Sequence, residues 1–197
     1  MGSVWWSMIV APRRTALALR ESQPDGDART LVARLATFML VLGGFVSLTT
    51  TGRLVPSQLV ATAVAWSFLP ALQALSLWAA RRASGLGGRF VWAWGAYLAG
   101  HGPWMLLLLA VSAVCLVTRD AWASFQWLLA KGVLPAAVAL TAAFSVWLTR
   151  CHFGETEALA PPLARRSTAV FYLTLVGLIV GYYTVIGELL PLLGVYP

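Results

Sequence analysis

Five long runs of apolar residues, separated by short polar stretches, form the main pattern of this chain. They extend over about residues 35–50, 55–80, 90–118, 133–149 and 167–190. A helix needs about 20 apolar residues to cross the hydrocarbon core of a bilayer. We therefore predict an all-α fold, in which residues 35–197 form the five-helix transmembrane domain of an integral membrane protein.

Two shorter apolar segments lie outside these runs. The first opens residues 1–34, where paired tryptophans precede Arg13 and Arg14, a pattern typical of a helix lying in the lipid headgroup region. We predict that residues 1–34 are a cytoplasmic N-terminal segment with this interfacial helix. The second, residues 121–131, is too short to cross a membrane and repeats apolar side chains at helical spacing. It is either a second interfacial helix or a long first half of the fourth transmembrane helix.

Two of the apolar runs contain residues that interrupt helices. Pro70 lies inside the second run, and Gly100-His101-Gly102-Pro103 interrupts the third near its middle. A proline ring clashes with the carbonyl four residues earlier and supplies no backbone N–H. Membrane helices tolerate this where neighbouring helices satisfy the freed backbone groups. We predict kinks at Pro70 and Pro103.

Two glycine pairs mark surfaces for close helix contact. Gly43 and Gly44 lie at the centre of the first run, and Gly177 and Gly181 form a GxxxG motif in the fifth. Glycines spaced in this way leave a groove that a second helix can approach closely. We expect all four to be helix-packing positions, within the chain or against a partner.

The 14 Lys and Arg residues are distributed unequally between the two sides of this topology. Eleven lie in segments that share one side, and three, Arg53, Arg119 and Lys131, lie on the other. Because positively charged loops remain in the cytoplasm, we predict a cytoplasmic N-terminus and a C-terminus on the outside. The preference for Arg over Lys indicates a GC-rich prokaryotic genome and thus a bacterial inner membrane.

The net charge of +7 does not indicate a nucleic-acid partner, because the arginines flank apolar runs, where they contact anionic lipid. The expected surroundings are the lipid bilayer and other membrane proteins. The sequence contains no phosphate-binding loop, nucleophile-elbow serine, zinc-protease motif or carboxylate pair, so we predict a protein that is not an enzyme. Cys151, His152 and Glu155 lack a fourth ligand, and we predict no metal.

His101 is the only titratable side chain that this topology places near mid-membrane. Ionisable groups are unfavourable there and are therefore functional candidates. Because Gly100 and Gly102 would let a flat ring approach, His101 is either an axial ligand of haem or a chlorophyll-type pigment, or a neutral side chain bonded to a neighbouring helix. His152 is predicted at the cytoplasmic boundary, too far in depth to be a second ligand. Glu188 is predicted near the outer surface.

The five-span plan with a cytoplasmic N-terminus resembles the Yip1 family of membrane proteins. Residues 9–16, IVAPRRTA, look like the proline-led amphipathic opening of bacterial members. Residues 94–106, WGAYLAGHGPWML, look like the Tyr…Pro segment inside that family's third span. The acidic Asp-Leu-Tyr-Gly-Pro-type motif of eukaryotic members does not occur in the sequence. The resemblance implies a helical membrane module without catalytic residues, and it transfers no site residues.

Three functions fit these observations. The first is a non-enzymatic accessory or scaffold subunit that packs against other membrane proteins in a larger complex. The second is a transporter or permease component that uses the broken third span, which a hydrated cavity between spans two, three and five would favour. The third is a pigment- or haem-binding subunit of an energy-converting complex, through His101.

Overall fold

The computed structural model describes residues 2–21, 28–118 and 120–192, which form helices and no strand. Five helical stretches are long and apolar enough to cross a membrane. The predicted all-α fold with five transmembrane helices is therefore confirmed. In chain order, the spans are α3 (Ala28–Thr51), α4 with α5 (Pro56–Ala65 and Phe68–Ala83), α6 with α7 (Phe90–Leu98 and Gly102–Val117), α9 (Val133–Cys151) and α10 (Pro161–Leu192). The shorter helices are α1 (Gly2–Val10), α2 (Pro12–Glu21) and α8 (Ala121–Ala130).

The second span is interrupted at Trp66 and Ser67, between α4 and α5. The residue four positions before Pro70 is Trp66, whose carbonyl faces the proline ring in an unbroken helix. The chain avoids this clash by a turn, in which the Leu69 backbone N–H donates to the Trp66 carbonyl at 3.1 Å. The break therefore lies one helical turn before the proline.

The third span is interrupted in the same way. A single 3-10 turn, Ala99–His101, separates α6 from α7, and Pro103 lies in the first turn of α7. Four residues before Pro103 is Ala99, the first residue of the 3-10 turn. In this position the proline forms part of a helix start, where a missing N–H has little effect.

Residues 121–130 form a helix of their own. The Asp120 carboxylate accepts a hydrogen bond from the Ala123 backbone N–H at 2.9 Å, which caps the start of α8. Gly132, at a φ of 71°, ends the turn before α9, a conformation that glycine adopts without strain. The segment is therefore a separate helix and not the first half of the fourth span.

The N-terminal helices α1 and α2 pack against the third span and the residues that follow the fourth. At Gly102 an added Cβ would lie 2.9 Å from the Trp5 carbonyl oxygen, so α1 contacts the third span at its break. Met8 is 2% exposed. Further along, the Thr156 hydroxyl donates to the Ala16 carbonyl of α2. An interfacial position remains a prediction for residues 1–34; one face of α1 packs against the break of the third span, and Trp6 and Val10 on the other are 60% and 66% exposed.

The ends of the spans that carry Arg81, Arg150 and Arg165 lie together, and we call this the arginine-rich end. Here α9 continues into a π-helical turn, His152–Thr156, before the chain reverses into α10. A buried cluster fastens this end, built from three spans and the turn: Leu77, Ala80, Tyr97, Phe153, Ala164 and Phe171. Next to it, Arg34 donates to the Gly95 carbonyl, joining the first and third spans.

Candidate functional site

A cavity of about 660 Å³ lies between the helices and is bordered by all five spans and by Met8 of α1. Both helix breaks border it, through Trp66 in the second span and His101 in the third. Its walls are mainly aliphatic and aromatic. The aromatic members are Phe38, Phe45, Trp66, Tyr97, Trp104 and Tyr172. Both interrupted spans therefore border a large space between the helices.

The middle of the cavity carries one polar pair. Nε2 of His101 lies 3.2 Å from Oε1 of Gln73, so the imidazole of the third span and the carboxamide of the second are hydrogen-bonded. The rings of Phe38 and Tyr97 meet the imidazole edge-on, with centroids 5.3 and 5.2 Å away. His101 is thus a buried side chain bonded to a neighbouring helix.

The axial-ligand alternative for His101 would require this arrangement to change. The nitrogen that would bind a haem iron is engaged by Gln73. The small-residue face that would admit a flat ring is filled, since the Trp5 backbone and the Ile9 side chain cover Gly102. At Gly100 an added Cβ would already meet the Leu148 and Met8 side chains at 3.9 Å. A flat cofactor would have to displace α1.

Towards the arginine-rich end the cavity is lined by four polar side chains, Tyr97, Thr149, His152 and Tyr172. The Thr149 hydroxyl donates to the Ser145 carbonyl at 2.8 Å. Because a hydroxyl carries one proton, the Tyr172 hydroxyl, 3.1 Å from Thr149, is the donor between the two. Tyr97 contacts both histidines, its ring lying 5.9 Å from that of His152.

An ion pair lies behind His152. Arg81 at the end of the second span pairs with Glu157, and their side chains are 5% and 6% exposed. Arg81 also donates to the Gly88 carbonyl at 2.8 Å, in the connection between the second and third spans. Nε2 of His152 lies 3.6 Å from the Glu157 carboxylate, beyond normal hydrogen-bond length. Among the described residues, neither ring nitrogen of His152 has a hydrogen-bond partner.

The π-helical turn places these groups together. The Glu157 backbone N–H donates to the His152 carbonyl five residues earlier, at 3.0 Å, and such wider turns are frequent at functional sites. Ala158 follows with a φ of 57°, which reverses the chain. The turn thereby places His152 at the cavity and positions the Glu157 side chain to pair with Arg81.

The predicted helix-packing glycines have different surroundings. At Gly43 an added Cβ would lie 3.1 Å from the Leu59 carbonyl oxygen, so the first and second spans approach closely there. Gly44 is less crowded, with the Leu54 side chain at 3.8 Å. An added Cβ at Gly177 or Gly181 would have no described atom from outside its own helix within 4 Å. The GxxxG groove is thus not filled by the described part of this chain.

Two further sequence predictions concern charged or ligating groups. Within the described ranges, no three His, Cys, Asp or Glu side chains lie close enough to hold a metal ion. The Glu188 side chain and Arg119 lie outside the described residues.

Sequence reasoning did not find the cluster of Arg81, His152 and Glu157. It placed His152 at the cytoplasmic boundary and gave no role to Glu157. One signal was present, since Glu157 is among only seven acidic residues and follows directly on a span that ends with Arg150 and His152. The pairing itself depends on the π-helical turn, for which the sequence carries no recognisable pattern.

The fold and the cavity define a multi-pass helical membrane protein with an internal, largely apolar binding space. Comparison with models of protein families, with curated proteins and with solved structures finds no match. Membership of the Yip1 family therefore remains a prediction.

Proposed function

We propose that this protein is a non-enzymatic membrane subunit that holds a lipophilic molecule inside its helix bundle. The observation that carries the proposal is the cavity of about 660 Å³ between the spans. Ligand pockets occupy about 300–1,000 Å³ and are lined mainly by apolar and aromatic side chains with a few polar groups. This cavity has that size and that lining.

The lining favours an apolar occupant over water. Water needs two to four polar partners to occupy a buried site. Around Phe38, Phe45 and Trp66 the cavity is lined mainly by apolar side chains, which do not supply that many. Leaving such a space empty forfeits packing contacts. Because the cavity is only partly enclosed, a molecule dissolved in the bilayer has a route into it.

The charge distribution supports a location in a bacterial inner membrane with the arginine-rich end in the cytoplasm. Eleven of the 14 basic residues belong to this side in the predicted topology. The N-terminus would then be cytoplasmic and the C-terminus outside. The arginines on this side would contact anionic lipid headgroups.

The test is the recovery of a bound molecule with purified protein. The protein is extracted from native membranes in a mild detergent, and its organic extract is analysed by mass spectrometry. We compare Leu108→Trp, which fills the cavity, with Leu109→Trp on the same helix, whose leucine is 50% exposed. A stoichiometric molecule present in the wild type and in Leu109→Trp but lost in Leu108→Trp is expected. A wild type without any such molecule contradicts the proposal.

A permease component is an alternative function for the same cavity. Broken helices that meet near mid-membrane form the substrate sites of many transporters, and here the breaks of the second and third spans both border the cavity. Transport would require the bound molecule to exchange between the two leaflets. Movement of the recovered molecule from the outer to the inner leaflet of vesicles, with and without the reconstituted protein, distinguishes a permease from a subunit that only holds the molecule.

Assembly with other membrane proteins is favoured by the unfilled groove on α10. Gly177 and Gly181 face no described neighbour, and Leu173 on the same helix face is 74% exposed. Such a groove admits a partner helix at close range. Native gel electrophoresis of Gly177→Ile with Gly181→Ile, against the exposed control Val176→Ile, tests this. Loss of a co-migrating partner in the double variant alone supports a subunit of a complex, and unchanged migration contradicts it.

A further inference from the structure

We propose that the arginine-rich end of the cavity is a headgroup site for an uncharged, hydrogen-bonding group, a hydroxyl or a carbonyl, on an amphiphilic molecule. His152, Thr149 and Tyr172 would bind this headgroup, and the tail would extend along the aromatic part of the cavity. The inference rests on the proposed function and adds the chemical class of the ligand.

The first argument is the unpartnered imidazole. His152 is 2% exposed, borders the cavity, and has no hydrogen-bond partner at either ring nitrogen among the described residues. Nearly all buried polar side chains in folded proteins have a partner. An imidazole that borders an internal cavity and lacks one is explained by a ligand that supplies the bond.

The second argument is the position of polar groups relative to one another. Tyr172 and Thr149 are hydrogen-bonded to each other and line the same end of the cavity as His152. Because Nε2 of His152 faces the Glu157 carboxylate at 3.6 Å, Nδ1 is the ring nitrogen left for a ligand, as donor or acceptor according to the tautomer, and each hydroxyl oxygen retains capacity to accept. Together they can bind a group that both donates and accepts, as a hydroxyl does, or that accepts, as a carbonyl does.

The third argument is the charge balance behind the site. The charges of Arg81 and Glu157 cancel within their buried pair, and the Glu157 carboxylate faces Nε2 of His152 at 3.6 Å. Nearby, Arg13 Nε and Glu155 Oε1 lie 4.0 Å apart and are also of opposite sign. A carboxylate or an ammonium headgroup would add an uncompensated charge to a buried site, which is strongly unfavourable. An uncharged headgroup adds none.

The tail would run away from this end along the aromatic wall. From Tyr97 to Leu108 the third span advances 11 residues, or about 16 Å at the helical rise. Phe38, His101 and Trp104 border the cavity along this length. The His101–Gln73 pair is already satisfied, so this stretch suits a hydrocarbon chain.

The experiment compares probes that share a tail and differ in the headgroup. Radiolabelled dodecanol, dodecanoate at alkaline pH and dodecyltrimethylammonium are titrated onto the full chain in phosphatidylcholine nanodiscs, with empty nanodiscs as the background. We expect saturable binding of dodecanol at least about tenfold tighter than that of either ion, because each ion would bury an uncompensated charge. Equal binding of all three probes overturns the headgroup proposal.

Variants locate the headgroup. His152→Phe keeps a ring against Tyr97 and removes both nitrogens, and we expect about tenfold weaker dodecanol binding. Tyr172→Phe is the milder second variant, with Tyr183→Phe, whose tyrosine is 55% exposed, as its control. Dodecanol affinities unchanged in both His152→Phe and Tyr172→Phe overturn the site.

Leu108→Trp separates this proposal from the one on which it rests. If Leu108→Trp abolishes binding of all three probes and His152→Phe changes none, the cavity binds amphiphiles and the headgroup site is wrong. If no probe binds saturably to the wild type, the cavity function itself is contradicted.

Discussion

Arg81 and Glu157, 76 positions apart in the chain, form a buried ion pair. The Arg81 side chain is 5% exposed and that of Glu157 is 6% exposed. The pair links the end of the second span to the connection between the fourth and fifth. Because Arg81 also donates to the Gly88 carbonyl, one guanidinium fastens three segments of the arginine-rich end. It also places a carboxylate behind His152, at the polar end of the cavity.

Removing one partner of this pair should destabilise the fold. Glu157→Gln leaves a buried guanidinium without its counter-charge, and we expect a loss of about 3–5 kcal/mol in the free energy of unfolding. Denaturant titration of the protein in mixed micelles measures it. Arg82→Ala is the control for Arg81→Ala, because Arg82 is an exposed neighbour that lies over the Trp78 ring at 5.9 Å. Equal losses in the two arginine variants would contradict the structural role of the pair.

Enlarging Gly102 should displace α1 from the third span. An added Cβ at this position would lie 2.9 Å from the Trp5 carbonyl oxygen, whereas at Gly100 the nearest atoms are 3.9 Å away. We expect a cysteine introduced at Met8 to react with a maleimide much faster in Gly102→Val than in the otherwise wild-type chain. Gly100→Ala should leave the labelling rate unchanged, and slow labelling in Gly102→Val would be evidence against the packing of α1.

The two central glycines of the first span should respond differently to substitution. A methyl at Gly43 would lie 3.1 Å from the Leu59 carbonyl oxygen, a backbone atom that cannot move aside, and at Gly44 the closest atom is a Leu54 methyl at 3.8 Å. We expect Gly43→Ala to lower the free energy of unfolding by about 1–3 kcal/mol through overpacking. Gly44→Ala should be nearly neutral. The reverse order in a denaturant titration would refute this contact.

The hydrogen bond between His101 and Gln73 should contribute to stability without a cofactor. His101→Phe leaves the half-buried Gln73 carboxamide without its partner, for an expected loss of about 0.5–1.5 kcal/mol. Gln73→Leu combined with His101→Phe should recover part of that loss, because no unpaired polar group remains. We expect wild-type protein purified from native membranes to be colourless. A visible absorption band that disappears in His101→Ala would instead establish a pigment or haem at His101.

The proposed orientation can be tested by labelling from outside. Gly87 and Lys131 are exposed and lie in connections at opposite ends of the bundle. With Cys115 and Cys151 buried, a cysteine at Lys131 should react with a membrane-impermeant maleimide in intact cells. A cysteine at Gly87 should react only after lysis. The opposite result would place the arginine-rich end outside.

The sequence anticipates the features that depend on a few adjacent residues. The five spans follow from the length of apolar runs, since a segment that buries its backbone in lipid must form a helix. The breaks at Trp66 and Ala99 follow from Pro70 and Pro103 four residues later. For residues 121–131 the sequence left two alternatives open, and the Asp120 cap and the turn at Gly132 decide for the separate helix α8.

Only the tertiary structure decides which groups meet. The sequence left two alternatives for His101, an axial ligand of a flat cofactor or a side chain bonded to a neighbouring helix, and the fold covers that face with α1 and bonds the imidazole to Gln73. The sequence assigned no function to His152. In the fold this side chain borders the cavity, next to the ion pair of Arg81 and Glu157. Helix length and helix breaks are local properties, fixed by backbone hydrogen bonding and proline sterics within one turn. A cavity and a buried ion pair depend on how distant helices pack, and no local pattern determines that.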